Sequence, residues 1–151
     1  MNILVLCVGN DARSILLESI LNDLSPQRMT AYSAGPAPAE SVPRAVLSLL
    51  EAQDQATADL APKSWDAFTG VDAVPVDLVI SLCDLSAYKA PKWPAGTPRG
   101  VWLTPDPMTE EAPLDQVYET LLRRAKAFLK HSFEIMDEGE ANAALKRIGK
   151  L

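Results

Sequence analysis

Residues 2–14 read NILVLCVGNDARS, and their reading decides the fold. The β-favouring run from Asn2 to Val8 is apolar almost without interruption and stops at Gly9, which suits a strand buried on both faces of a parallel sheet. From Arg13 the period changes. Ile15, Leu16, Ile20 and Leu24 recur at helical spacing until Ser25-Pro26 ends the run. A strand, a tight turn carrying a cysteine, and a helix that opens on an arginine follow one another without a spacer.

The remaining chain repeats this alternation. MTAYSAG (29–35) reads as a second strand closed by Gly35 and Pro36, and Pro43 to Gln53 as a second helix with proline in its first turn. A polar, proline-bearing stretch to about Val76 holds a helical turn near KSWDAF. Strands are expected over 77–83 and 99–103, then one long amphipathic helix from Leu114 to about Met136, whose apolar face carries Val117, Leu121, Leu122, Ala125, Phe128 and Leu129. The tail EANAALKRIGKL adds a short helix or frays. Alternating strands and helices predict an α/β, doubly wound layer fold with a small parallel sheet. With no internal repeat or linker, residues 1–151 are expected to form a single domain.

A formal charge of −6 argues against a nucleic-acid-binding surface or a basic membrane patch, so any anion site must be local. No segment approaches the roughly 20 apolar residues of a membrane span, and the start lacks a signal-peptide pattern. The expected compartment is the cytoplasm, where two cysteines read as free or redox-cycling thiols rather than a permanent bridge.

Ligands in such sheets bind beyond the carboxyl ends of the strands. Cys7, Cys83 and the TPDP stretch that contains Asp106 all fall at that edge. The backbone N–H groups of Val8, Gly9, Asn10, Asp11, Ala12 and Arg13 can wrap an oxyanion, with the helix adding its positive end. Gly9 and Asn10 tolerate the left-handed backbone such a turn needs. Arg13 adds a planar fork matched to a tetrahedral oxyanion, and the same field favours the Cys7 thiolate, to which the Ser14 hydroxyl can donate. Asp106, held between Pro105 and Pro107, is placed to protonate a leaving group. Taken singly, Cys7 is a buried hydrophobe, Arg13 a solvated first-turn residue and Asp106 a turn former. Their convergence at one edge is the functional signal.

LCVGNDARS resembles the phosphate-binding loop of the low-molecular-weight protein tyrosine phosphatase superfamily, a cysteine followed after five residues by arginine and serine. AYSAGPAP, KSWDAF, DLVISLCD, WPAG and VWLTPDP follow in the order seen in the thioredoxin-family-coupled arsenate reductases of that superfamily. The resemblance spans about residues 2 to 130. It implies a three-layer, phosphotyrosine phosphatase I-like fold with helices on both faces of a four-stranded parallel sheet of order 2-1-3-4. It also implies Cys7 as nucleophile, Arg13 as oxyanion binder, Ser14 as thiolate stabiliser and Asp106 as general acid. With that order Cys7 and Cys83 end neighbouring strands, about 4.8 Å apart, which brings a disulfide within reach. In the reductases the cysteine matching Cys83 resolves the arsenic adduct; the bland reading of Cys83 is a buried thiol.

Three positions depart from the reductase pattern. Ala90 stands where many carry a third cysteine, which removes a three-cysteine relay; Val101 replaces a common histidine; and Asp11 puts a carboxylate in the anion loop. The reading is therefore a thiol-dependent arsenate reductase, reduced directly by thioredoxin, glutaredoxin or a small thiol. The alternatives are a phosphatase hydrolysing phosphate monoesters through a phosphocysteine, and an oxyanion-binding or redox-regulatory module whose catalysis has decayed. Trp102 is expected in the core rather than as a substrate platform, Trp93 and Tyr88 lie in the loop after Cys83, and the single histidine, His131, is expected at the surface. No residues have metal-ligand spacing, and no cofactor is expected.

Overall fold

The computed structural model describes residues 1–109 and 111–151. Its elements are β1 (Asn2–Leu6), α1 (Arg13–Leu24), β2 (Thr30–Ala34), α2 (Arg44–Ala52), β3 (Leu78–Ser81), β4 (Arg99–Val101), α3 (Leu114–Leu129) and α4 (Glu138–Ile148). Two 3₁₀ turns lie at Trp65–Phe68 and Phe133–Ile135. The four strands form one parallel sheet in the order β2-β1-β3-β4, as expected. Leu6 pairs with both Ala34 and Ser81, and Ser81 with Val101, so the carboxyl ends finish level.

Strand alternation divides the core. Ile3, Val5, Leu78 and Ile80 join residues of all four α-helices in one apolar cluster. Leu4, Leu6 and Val79 point the other way, onto Trp65, Phe68 and Trp93. The KSWDAF turn thus supplies aromatic cover for the second face, and Ser64 Oγ caps it by accepting from Asp66 N–H. In α1 every residue from Ser14 to Leu21 is buried, which explains its run of apolar residues around the helix rather than along one stripe.

The expected helix to Met136 stops at Leu129. Arg28 explains the early end: its Nη1 donates to Leu129 O at 2.7 Å, its Nη2 to His131 O, and Glu134 anchors the guanidinium at 2.6 Å. Carbonyls left open by a helix end are satisfied there by a side chain from another element. Phe133 then stacks on Phe128, with ring centroids 4.4 Å apart. His131 is half-buried rather than a free surface residue, with Nδ1 3.0 Å from Ala127 O.

The tail is an ordered helix with a capping box between Asp137 and Glu140. It packs on edge strand β4, where Leu145 lies against Gly100, and Trp102 Nε1 donates to Leu145 O at 2.9 Å. Trp102 is completely buried. No described helix is long and apolar enough to cross a membrane.

A β-carbon on Gly100 would sit 2.7 Å from Leu145 Cβ, so Gly100→Ala must displace α4. We expect a loss of about 1–3 kcal/mol in chemical denaturation.

Candidate active site at the carboxyl edge of the sheet

The parallel ladder runs on past the strands. Cys7 N donates to Ala34 O (3.3 Å), Leu82 N to Leu6 O (2.9 Å), Trp102 N to Ser81 O (2.8 Å) and Thr104 N to Leu82 O (3.0 Å). These bonds set Cys7, Cys83 and the start of the Asp106 loop side by side, although each lies beyond its strand.

The 7–13 loop is held from below. Ala37 N donates to Val8 O at 3.1 Å and Ala39 N to Gly9 O at 2.9 Å. In a trans peptide the N–H opposes the carbonyl, so the amides of Gly9 and Asn10 face away from that support. The left-handed residue is Asn10, at φ 46°, and not Gly9. Asn10 is fully buried, donates through Nδ2 to Ser14 Oγ at 2.8 Å and accepts through Oδ1 from Lys63 N at 2.9 Å. Ser14 thus receives a bond from Asn10, while its own hydroxyl hydrogen makes none among the described residues. The Asp11 carboxylate folds back over Gly9, with Oδ1 3.2 Å from where a β-carbon there would lie. Ala12, the residue before helix α1, provides no side-chain cap, so the first N–H groups of the helix are open to a ligand.

Arg13 spans to the opposite loop. Its Nη1 donates to Thr104 O at 2.9 Å, and its Nη2 lies 3.7 Å from Asp106 Oδ2. Asp106 Oδ1 accepts from Met108 N at 2.9 Å, while its own N–H donates to Glu111 Oε2 at 3.1 Å. Arg124 fixes the approach to this loop: its Nη1 donates to Trp102 O (3.3 Å), Leu103 O (3.2 Å) and Thr104 Oγ1 (3.1 Å).

The two sulfurs meet: Cys7 Sγ and Cys83 Sγ are 3.6 Å apart, both as free thiols. Cys7 is buried and Cys83 half-buried. Such a pair titrates as a unit. The hydrogen bond from Cys7 pulls Cys83 down to about 6, against its burial and with help from Val8 N–H and Arg13. The same bond, then burial, pushes Cys7 far above the usual thiol range, opposed by Arg13. One proton and one negative charge are therefore shared between two sulfurs.

Lys63, Arg124 and Glu111 escaped the sequence reading. Lys63 ties the site to the fold, with Nζ donating to Ser33 O at 2.9 Å and lying 3.9 Å from Glu18 Oε1, whose carboxyl burial pushes up. It opens the KSWDAF stretch, whose order in the chain was noted without a role for the lysine. Arg124 did leave a signal, an arginine on the apolar stripe of α3 between Leu121 and Phe128. Of the aromatics in the loop after Cys83, Trp93 is buried, whereas Tyr88 is exposed and meets Trp65 edge-on at 6.5 Å. A cavity of about 620 Å³ lies away from the thiols, between α1, β2 and residues 55–63. Among the described residues no three His, Cys, Asp or Glu side chains group to hold a metal.

A thiol beside an uncapped helix start and a backbone amide loop is an arrangement for attacking tetrahedral oxyanions through sulfur. The chain belongs to the low molecular weight phosphotyrosine protein phosphatase family, which it matches over residues 2–134, and the solved structures similar to it include arsenate reductases and tyrosine phosphatases. An arsenate reductase from Archaeoglobus fulgidus is 26% identical, with a TM-score of 0.69 over 85% of this chain and 99% of that one. A thioredoxin-dependent arsenate reductase from Corynebacterium glutamicum shares the fold at 21% identity and TM-score 0.69, over 89% of this chain and 62% of that one. The tyrosine phosphatase Wzb from Escherichia coli K30 does so at 23% identity and TM-score 0.67, over 85% of this chain and 96% of that one. A search of curated protein sequences returns no significant match.

A β-carbon on Gly35 would lie 2.1 Å from Cys7 O and 2.5 Å from Val8 O. Gly35→Ala is expected to abolish phosphate binding by the loop, read by isothermal titration, even where the protein still folds. Because the Cys7 hydrogen bond is the largest cause lowering Cys83, alkylation of Cys83 should rise with pH through a midpoint near 6. In Cys7→Ala that midpoint should move up to the ordinary thiol value of about 8.5. An unchanged midpoint would show that the sulfurs are not coupled.

Proposed function

We propose that the protein is a thiol-dependent arsenate reductase, in which Cys7 attacks arsenate and Cys83 resolves the adduct. The observation that carries this reading is the 3.6 Å approach of the two sulfurs, since hydrolysis of a phosphate ester requires only the first. The proton shared by the pair passes to Cys83, and Cys7 attacks arsenic as the thiolate. The Val8 to Arg13 amides and the Arg13 guanidinium hold the equatorial oxygens, with Arg13 exchanging its 3.7 Å Asp106 contact for the anion. Asp106 donates a proton to the departing oxygen, which leaves as water. Cys83 then releases its proton to solvent and attacks Cys7 Sγ. The sulfur–arsenic electron pair moves onto arsenic, which leaves as arsenite, and the two thiols have become a disulfide. Closing the sulfurs from 3.6 Å to the bond length of about 2.05 Å is a local movement.

The cycle needs an external thiol reductant, of the thioredoxin, glutaredoxin or small-thiol class. It suits the reducing cytoplasm, with residues 1–151 acting as one unit. Asp11 adds repulsion toward the anion, and its half-buried carboxylate over Gly9 limits that penalty by keeping contact with solvent.

A second reading, phosphate monoester hydrolysis through a phosphocysteine, is favoured by the Cys7, Arg13 and Asp106 arrangement, which works without Cys83. Multiple-turnover arsenate reduction should fall to background in Cys83→Ser while aryl phosphate hydrolysis persists, and Cys7→Ser should lose both. Undiminished arsenate turnover in Cys83→Ser, with no Cys7–Cys83 disulfide by mass spectrometry, would overturn the resolving role of Cys83, whereas aryl phosphate hydrolysis without any arsenate reduction by the unaltered protein would overturn the reductase reading in favour of the phosphatase.

A further inference from the structure

Asp11 is the one carboxylate within the 7–13 loop, and no step of the proposed cycle uses it. It is half-buried and meets no protein donor among the described residues. Its carboxylate lies over Gly9: from where a β-carbon of Gly9 would sit, Oδ1 is 3.2 Å, Cγ 3.5 Å and Oδ2 3.7 Å away. The Gly9 amide is one of those that turn from the supporting 37–39 segment toward the anion. We propose that Asp11 sets the specificity of the loop by accepting a hydrogen bond from a hydroxyl of the bound oxyanion. The loop then takes tetrahedral anions that carry a hydroxyl, arsenate and inorganic phosphate, and turns away those that carry none, sulfate and the dianions of phosphate monoesters. The inference rests on the loop holding an oxyanion, which the reductase and phosphatase readings share.

The charges around the anion position favour a ligand that brings a proton. Arg13 is set there against the negative charge shared by the two sulfurs and against the carboxylates of Asp106 and Asp11. Lys63 does not redress the balance, since its Nζ is turned to Ser33 O and Ala61 O, at 2.9 and 3.0 Å. An anion whose oxygens are all bare meets the Asp11 carboxylate as repulsion alone, because a carboxylate has no hydrogen to donate. A hydroxyl on the anion converts that repulsion into a charge-assisted hydrogen bond, the stronger class of such bonds. A site built in this way rejects the ligand that lacks the hydroxyl by leaving charge against charge.

The candidate substrates divide by this chemistry. Arsenate and inorganic phosphate keep at least one hydroxyl at neutral pH. Sulfate has none, and a phosphate monoester, whose second ionisation lies at about 6, is mostly bare. The arsenate monoanion carries two hydroxyls, so one can face Asp11 while the other departs as water with the single proton that Asp106 supplies. An aryl phosphate dianion has no hydroxyl to offer Asp11, and its ester oxygen is the departing atom. One carboxylate thus turns a nucleophile, an arginine and an acid that suit both reactions away from ester dianions and toward arsenate.

Isothermal titration of inorganic phosphate and of sodium sulfate into the reduced protein at neutral pH reads the selection without any turnover. The unaltered protein should bind phosphate about tenfold more tightly than sulfate, and in Asp11→Asn and Asp11→Ser the two affinities should come within about twofold of each other. Equal affinities in the unaltered protein, or variants in which both anions gain or lose alike, overturn the inference. Aryl phosphate hydrolysis gives a second readout: its kcat/KM should rise about tenfold in Asp11→Asn, and the absence of a rise overturns the exclusion of ester dianions. Protein that selects phosphate over sulfate through Asp11 yet reduces no arsenate keeps this inference and loses the reductase reading, whereas arsenate reduction without that selection does the reverse.

Discussion

The site depends on one buried asparagine. Asn10 holds the left-handed backbone that lets the 7–13 loop close, and both ends of its amide are used, on Ser14 Oγ and on Lys63 N–H. A buried amide with an unmet donor or acceptor costs about 1–3 kcal/mol, so the two bonds are what make a fully buried Asn10 tolerable. Through them the loop is tied to the start of α1 on one side and to the 61–64 segment on the other. Gly35 supplies the complementary constraint: the loop carbonyls lie so close to it that only a residue without a side chain fits beneath them.

A second tie runs across the mouth of the site. Arg13 joins the anion loop to the Asp106 loop through Thr104 O, and Arg124 pins the three residues before Pro105 from beneath. Both arginines are satisfied mainly by backbone oxygens. That leaves the Arg13 to Asp106 contact, at 3.7 Å, as the loose member that an arriving oxyanion can replace. The rigid parts of the site therefore bind backbone, and the exchangeable part faces the substrate.

Much of this was legible beforehand because it is periodic or local. The apolar run ending at Gly9 and the change of period at Arg13 identify a parallel strand feeding a helix, and the structure has both within two residues of the expected bounds. The end of α3 was not legible, since Arg28, about a hundred residues earlier, captures its carbonyls. The ordered tail was ambiguous for a similar reason: its helix is held by Gly100 and Trp102 of another element. Gly9 and Asn10 both suit the left-handed position by local preference, and the Lys63 bond to Asn10 goes with the choice of Asn10.

By itself the sequence determined the class of fold and the presence of a cysteine, an arginine and an aspartate at one sheet edge, through spacing and period along the chain, and the family through the resemblance of its motifs. Tertiary structure alone decided that Cys7 and Cys83 lie 3.6 Å apart in hydrogen-bond contact, that Cys83 opens on a cleft while Cys7 does not, and that Lys63 and Arg124 hold the loops. Those facts depend on distances between residues dozens of positions apart. Such distances are set by strand order and by how the loops continue the ladder, and no local pattern encodes them.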